Sequence, residues 1–201
     1  MDSKLSTEEM YEKFLHTPGM KLDPIKQKKM YDTITGAITS IFKKIIQHPE
    51  NSSKKFNNMN FFGAHPVSLE KRYLMQMLEN SHDYLVCEKT DGIRYMMFVS
   101  NYGEVFFAGR DEGLYVVNLQ LPKAMVNGSS KDWSIHYIFD GELVLDNRNG
   151  KKALVYLLFD CIYFNHHPVF ELAYNERLKH CLTFQTLRRD SLSMYQQKGS
   201  I

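Results

Sequence analysis

Apolar residues recur along this chain at two spacings, and the change from one to the other divides it. In the first fifty residues the spacing is helical. Ser6-Thr7-Glu8-Glu9 forms a capping box in which Ser6 pairs with Glu9. Met10 and Phe14 follow at i,i+4 on a short helix that Pro18-Gly19 ends. Asp23-Pro24 starts a second helix, and Ile34, Ile38, Ile41 and Ile45 form its apolar stripe until Pro49 stops it. The stretch 49–60 is a polar link rich in Asn, Ser and Lys, and is the best internal boundary. Beyond it, Phe61-Phe62-Gly63-Ala64-His65-Pro66-Val67 reads as extended or turning. Ser68 is placed to cap a helix from Leu69 to about Glu79, with Leu69, Tyr73, Met77 and Leu78 on one side.

From Tyr84 strand patterns dominate. Tyr84-Leu85-Val86 and Tyr95-Met96-Met97-Phe98-Val99 read as two strands flanking a charged turn. Gly103 turns into Glu104-Val105-Phe106-Phe107, and Tyr115-Val116-Val117 reads as a further short strand. Asn127 to Lys131 reads as a loop. Ile135, Tyr137 and Phe139 alternate with the opposite face and lead through Asp140-Gly141-Glu142 into Leu143-Val144-Leu145. Asn149-Gly150 is a strong hairpin signal. Ala153 to Asp160 is apolar on both faces, which predicts a central strand. A helix is expected from Leu172 to Phe184, and the tail from Arg188 is polar and poorly patterned. The expected class is α+β: a mostly antiparallel sheet with flanking helices. Residues 1–60 are expected to be a helical, basic extension to the unit that follows at 61–201.

Composition adds little. The chain has 201 residues, 43% apolar and 24% charged, with a net charge of +2, so a sizeable core is possible and no polyanionic partner is demanded. Eight lysines lie between Lys21 and Lys55 against Asp23, Asp32 and Glu50, which reads as the solvated face of a helix or as a surface for RNA or a phosphorylated tail. Cys87, Cys161 and Cys181 lack metal spacing and flank apolar runs, as expected of buried, reduced thiols in an intracellular protein. No run approaches a membrane span and the N-terminus lacks a secretory pattern, so a soluble protein is expected. His166-His167 has no third ligand at suitable spacing and reads as a loop pair.

The candidate chemistry lies in four charged clusters, each beside an apolar strand. These are Glu88-Lys89-Thr90-Asp91-Gly92-Ile93-Arg94, Gly109-Arg110-Asp111, Asp140-Gly141-Glu142 and Phe159-Asp160. A lysine amine is a nucleophile only when neutral, and nearby cations and desolvation favour that form. Arg94, Arg110 and a nucleotide-bound metal would supply the cations. Arginines and a divalent ion neutralise a phosphate under in-line attack. Glu142 and Asp160 offer oxygens suited to Mg²⁺ or to ribose hydroxyls. Phe159 suits either base stacking or core packing.

In order, these clusters resemble the motifs of the covalent nucleotidyltransferases, a superfamily of mRNA capping guanylyltransferases and polynucleotide ligases. Lys89-Thr90-Asp91-Gly92-Ile93-Arg94 resembles motif I, Gly109-Arg110-Asp111 the next motif, Asp140-Gly141-Glu142-Leu143-Val144 motif III, and Leu157-Leu158-Phe159-Asp160 motif IIIa. Phe62 to Leu69 resembles the capping branch's signature upstream of its lysine, and Asn175-Glu176-Arg177-Leu178 its helix after motif IIIa. The likeness runs roughly from Phe61 to Leu182 and implies an ATP-grasp-like nucleotidyltransferase domain. It implies that Lys89 takes GMP from GTP as a phosphoramidate and passes it to the 5′-diphosphate end of RNA. Glu88, Thr90, Arg94, Arg110, Glu142 and Phe159 would contact the nucleotide. Asp91, Gly92, Asp140 and Asp160 would support them. Mg²⁺ or Mn²⁺ would be the metal, with Glu142 or Asp160 as candidate ligands.

The resemblance further implies a nuclear location, or a cytoplasmic one for a virus-encoded enzyme. The RNA polymerase II tail and an RNA triphosphatase become candidate partners, and no membrane is involved. Nothing after Leu182 resembles the family's motifs IV and V, and its OB-fold is absent, so 61–201 is expected to be the N-terminal part of a domain that is incomplete at its C-terminus. These 201 residues alone are then expected to be weak or inactive. Two other readings stay open: an ATP-dependent DNA or RNA ligase, against which Pro66-Val67-Ser68 argues, and a non-catalytic module docking RNA or the polymerase tail.

Overall fold

A computed structural model describes residues 68–81, 84–110, 114–121, 132–148 and 150–198, with Asp32, Gly36, Ser40 and Met125 described individually. The expected N-terminal helices, the link at 49–60, the segment Phe61–Val67, Asp111 and the loop 127–131 lie outside the described residues.

Among the described residues eight elements follow in order. They are α1 (Lys71–Glu79), β1 (Ile93–Ser100), β2 (Glu104–Gly109), β3 (Leu114–Gln120), β4 (Ile135–Arg148), β5 (Lys151–Phe164), β6 (His167–Pro168) and α2 (Tyr174–Lys198). The strands form one antiparallel sheet in the order β3-β2-β1-β4-β5-β6. The α+β expectation is met by this open sheet and its two helices.

Two glycine-bearing turns and one left-handed pair make three of the reversals. Gly103, at φ +84°, closes the β1–β2 hairpin, and its amide donates to the Ser100 carbonyl at 3.0 Å. Gly150, at φ +75°, closes β4 onto β5 as Asn149-Gly150 foretold. Asn165 and His166 both have positive φ (50° and 64°), the signature of a two-residue turn matched to strand twist, and they join Phe164 to its partner His167. Of the two expected loop histidines, His166 lies in this turn and His167 begins β6. His166 stands 2.5 Å from the buried His136 ring nitrogen, and burial first, then His166, pushes the His136 imidazole down to about 4.

The larger core cluster lies on one face of the sheet, and Met96, Phe98, Phe106 and Ile138 are buried on the other. Strand alternation aims Tyr95, Met97 and Val99 at the same side as Val105, Phe107, Tyr137, Phe139 and Leu143. α2 closes this face: Phe184 lies 4.6 Å from the Phe139 ring and 5.2 Å from the Tyr137 ring, and Cys181 is buried beside them. Burying each such large side chain contributes about 1.5–3 kcal/mol. Gly141 matters here. A Cβ at that position would meet the Tyr156 ring at 2.5 Å. Its absence lets Tyr156 cross β4 and donate its hydroxyl to the Tyr95 carbonyl at 2.6 Å.

Several local expectations are corrected. Tyr84-Leu85-Val86 is not a strand: residues 84–92 run irregularly, and Val86 is 98% exposed. Ser68 does not cap α1. Glu70 occupies the N-cap without a side-chain bond, and no residue of this helix is buried. The Ala153–Asp160 run is not central, because β1 and β4 hold the middle of the sheet and β6 covers only the end of β5. Its residues are accordingly only partly buried from Leu154 onward. α2 continues past Phe184 to Lys198, through a stretch free of the Gly and Pro that would stop it. Cys161 and Cys181 are buried, but Cys87 is exposed. Burial raises both buried thiols, Cys181 to about 12.

Candidate functional site

The sheet carries its charge on the face opposite α2. Arg94 of β1 stands directly across from Glu142 of β4, and Met96 across from Asp140. With period-two alternation, Arg94, Asp140 and Glu142 share that face. The clusters at Asp140-Gly141-Glu142 and Phe159-Asp160, expected at strand ends, lie within two fourteen-residue strands. They sit where β1 begins. Beyond Leu143 the β4–β5 pair continues as a two-stranded ribbon without β1.

A bulge brings the fourth cluster in. Along β5, register passes from Asp160, opposite Asp140, to Leu158, opposite Gly141, so Phe159 is the extra residue. Without it, alternation would send Phe159 and Asp160 to opposite faces. With it, both border the same cleft. That cleft is about 1050 Å³ and runs along Cys87–Thr90, Gly92–Tyr95, Gly109-Arg110, Asp140, Glu142, Leu157, Phe159-Asp160 and Tyr174. The structure thus gathers Lys89, Glu88, Thr90, Gly92, Arg94, Arg110, Asp140, Glu142, Phe159 and Asp160. Asp91 is fully exposed and joins through its contact with Lys89.

The loop before β1 is tied down by one carboxylate. Thr90 Oγ1 donates to Glu142 Oε2, and the Gly92 amide donates to Glu142 Oε1 at 3.2 Å. Gly92 allows the approach, since a Cβ there would lie 2.5 Å from the Leu143 carbonyl oxygen. The next carboxylates face each other. Asp140 and Asp160 are cross-strand partners, an arrangement that repels unless each is neutralised. Each has its own arginine. Arg94 grips Asp140 through Nε at 2.9 Å and through Nη2, and Arg177 grips Asp160 through Nε at 2.8 Å and Nη2 at 3.1 Å. Bidentate pairing of this kind combines strength with fixed orientation. Bonding to Asp140 and Asp160 raises the two guanidinium groups further above their usual range. Arg94 also lies over the Phe159 ring at 5.7 Å.

Lys89 departs from expectation. Its side chain is 85% exposed, and Nζ lies 2.6 Å from Asp91 Oδ1. That hydrogen bond and charge push the amine up and hold Asp91 down. The free protein therefore keeps Lys89 protonated. The desolvation and cations expected to neutralise it are not in place around the amine, because the loop projects into water.

The metal expectation fits poorly. Both Glu142 oxygens accept from the loop, and both Asp160 oxygens accept from Arg177, with Oδ1 also taking the Cys161 amide at 2.7 Å. Among the described residues no group of three or more His, Cys, Asp or Glu could hold a metal ion. These side chains do not fit a protein cage for Mg²⁺ or Mn²⁺.

Sequence reasoning gave no role to Tyr174 and Arg177 at the start of α2. Only the resemblance at Asn175–Leu178 pointed nearby. Their partners lie 15 and 17 residues away, and no periodic pattern signals such contacts.

Residues 25–198 match the family model for the mRNA capping enzyme, catalytic domain. The chain belongs to this family. It is 33% identical to an mRNA-capping enzyme of Danio rerio over 137 residues, 66% of this chain and 22% of that protein. It is 36% identical to an mRNA-capping enzyme of Mus musculus over 142 residues, 69% of this chain and 21% of that protein. With the mRNA-capping enzyme subunit alpha of Saccharomyces cerevisiae it shares 31% identity over 156 residues, 72% of this chain and 33% of that protein. The chain spans about a fifth to a third of these capping enzymes. Among the described residues no helix is long and apolar enough to cross a membrane.

Proposed function

We propose that this chain carries the nucleophile and sugar–base side of an mRNA guanylyltransferase site. The observation that carries the reading is the cleft that brings Lys89, Arg94, Arg110, Glu142 and Phe159 together in a member of the capping-enzyme family. Neutral Lys89 Nζ attacks the α-phosphorus of GTP. A phosphorus–nitrogen bond forms, the bond to the bridging oxygen breaks, pyrophosphate leaves, and the amine releases its proton to solvent. The terminal phosphate oxygen of a 5′-diphosphate RNA then attacks the same phosphorus, and the bond to Lys89 breaks as its nitrogen takes a proton from solvent.

The chain's groups suit these steps. Arg110, at the rim, supplies positive charge near the phosphates, and Arg94 presents a fixed guanidinium beside the Phe159 ring. Thr90 and Glu142 face the ribose, and Phe159 offers a face for guanine. Glu88 borders the same cleft next to the nucleophile. Asp91 must yield Lys89 before attack, because the paired amine is protonated. Loss of the Asp91 contact lowers the amine's hold on its proton, and the Arg94 and Arg110 cations oppose the upward pull of the phosphates. Among the described residues no side-chain cage holds a divalent ion, which would instead neutralise phosphate charge from the nucleotide side.

The 5′-diphosphate acceptor calls for a preceding RNA triphosphatase. A nuclear site, docking of the polymerase II tail on the lysines of 21–55, and a division into 1–60 and an ATP-grasp-like 61–201 remain parts of the proposal, supported by charge, composition and family. The test is covalent labelling of the full-length protein with [α-³²P]GTP and Mg²⁺ or Mn²⁺, beside Lys89→Ala. An acid-labile adduct that Lys89→Ala abolishes is expected. Labelling by ATP alone would overturn the reading in favour of a ligase, and no labelling by either would favour a binding module.

A further inference from the structure

The bulge that brings Phe159 to the cleft is held from outside the sheet, by the first turn of α2. A bulged residue leaves the regular ladder, so its backbone groups need other partners. Tyr174 supplies one: its hydroxyl donates to the Phe159 carbonyl at 2.7 Å. One residue on, Arg177 holds both Asp160 oxygens. Its Nη1 also donates to the Leu172 carbonyl at 2.6 Å, and its guanidinium lies over the Tyr174 ring at 5.3 Å. The Arg177 side chain is only 19% exposed, as is that of Asp160. Two consecutive strand residues are thus anchored by two residues of one helical turn, and Tyr174 itself borders the cleft.

We propose that Tyr174 and Arg177 are positioning residues that set the Phe159 ring for the nucleobase, and so govern affinity for the base half of the nucleotide and not for its phosphates. This inference rests on the nucleotidyl-transfer reading above. Arg94 reaches the other side of the arrangement, over the Phe159 ring. The ring is therefore bracketed by one side-chain cation and one main-chain anchor. Loosening the anchor lets the ring rotate or sink, while Lys89, Arg110 and Glu142, held by other elements, keep their places.

Tyr174→Phe is the mildest probe, because it removes one hydroxyl and keeps the ring. In the full-length protein the expected result is a rise in the KM for GTP of about 3- to 10-fold in Lys89 adduct formation, the loss of one net hydrogen bond. The maximal rate at saturating GTP should hold within twofold. Inhibition by inorganic tripolyphosphate, which has no base, should be unchanged. Arg177→Lys cannot reproduce the two-pronged grip and should raise the KM further with the same unchanged tripolyphosphate constant. Equal weakening of GTP and tripolyphosphate would overturn the inference, since that is what general loosening of the fold produces. So would GTP kinetics for Tyr174→Phe indistinguishable from wild type. A wild-type protein that forms no Lys89 adduct would instead refute the nucleotidyl-transfer reading and this inference with it.

Discussion

Gly92→Ala isolates how the nucleophile loop is seated. The new methyl would lie 2.5 Å from the Leu143 carbonyl oxygen, 2.7 Å from Val144 Cγ1 and 2.9 Å from Glu142 Cγ. An ordinary carbon–oxygen approach is about 3.3 Å, so something must move by roughly 0.8 Å. Leu143 is fully buried and paired to both β1 and β5, so β4 does not yield. The loop moves instead. The Gly92 amide bond to Glu142 is already 3.2 Å long, and 0.8 Å more breaks it. Hydrogen bonds to a charged group are worth about 1.5–3 kcal/mol each, and the Thr90 bond to the same carboxylate is strained with it. Lys89 is three residues away and moves with the loop. A displacement near 1 Å at a reacting group costs on the order of 100-fold in rate. The expected result is that adduct formation with GTP falls about 100-fold in the full-length protein. The melting temperature should fall by several degrees with the loss of the Gly92–Glu142 bond, while the core cluster keeps its packing. Labelling within threefold of wild type would refute the claim that contact with β4 positions Lys89.

The Arg94–Asp140 pair should behave as a buried ion pair. Asp140→Leu, which removes the carboxylate that Arg94 grips, is expected to cost about 3–5 kcal/mol in urea unfolding, whereas combining it with Arg94→Leu should recover most of that; a single-mutant loss below 1 kcal/mol would refute it. Asp91 should govern the Lys89 amine. An opposite charge favours the protonated form, so Asp91→Asn is expected to lower the titration midpoint of Lys89, read by NMR of the ¹³C-methylated amine, and to move the alkaline rise of adduct formation to lower pH; an unmoved midpoint would sink this account.

Much of the sheet was readable because its signals are local. Gly103 and Asn149-Gly150 mark the turns they form, and the alternation read in Ile135–Phe139 puts Tyr137 and Phe139 in the core cluster. Tyr84-Leu85-Val86 misled because strand propensity is realised only where a neighbour accepts the backbone bonds, and this run has no strand partner among the described residues. The Ala153–Asp160 run misled differently. Apolar residues on both faces signal burial, but place in the sheet is decided by pairing, and β5 lies next to the two-residue edge strand β6.

The site divides the same way. Residue types and their order in the chain point to a lysine nucleophile with arginine and carboxylate helpers, because that chemistry needs those groups whatever their surroundings. The tertiary structure alone decides which helper serves which. Asp160, a candidate metal ligand on sequence grounds, spends both oxygens on Arg177, and Glu142 spends its own on the loop. The bulge at Phe159 is invisible in the sequence, since one extra residue in a pairing register exists only relative to the partner strand. The added hold on the Lys89 proton follows from a 2.6 Å contact with Asp91, where a spacing of two residues could equally have pointed the carboxylate away. Sequence determines which groups are available. Distance, burial and register are relations between segments, and they exist only once the chain has folded.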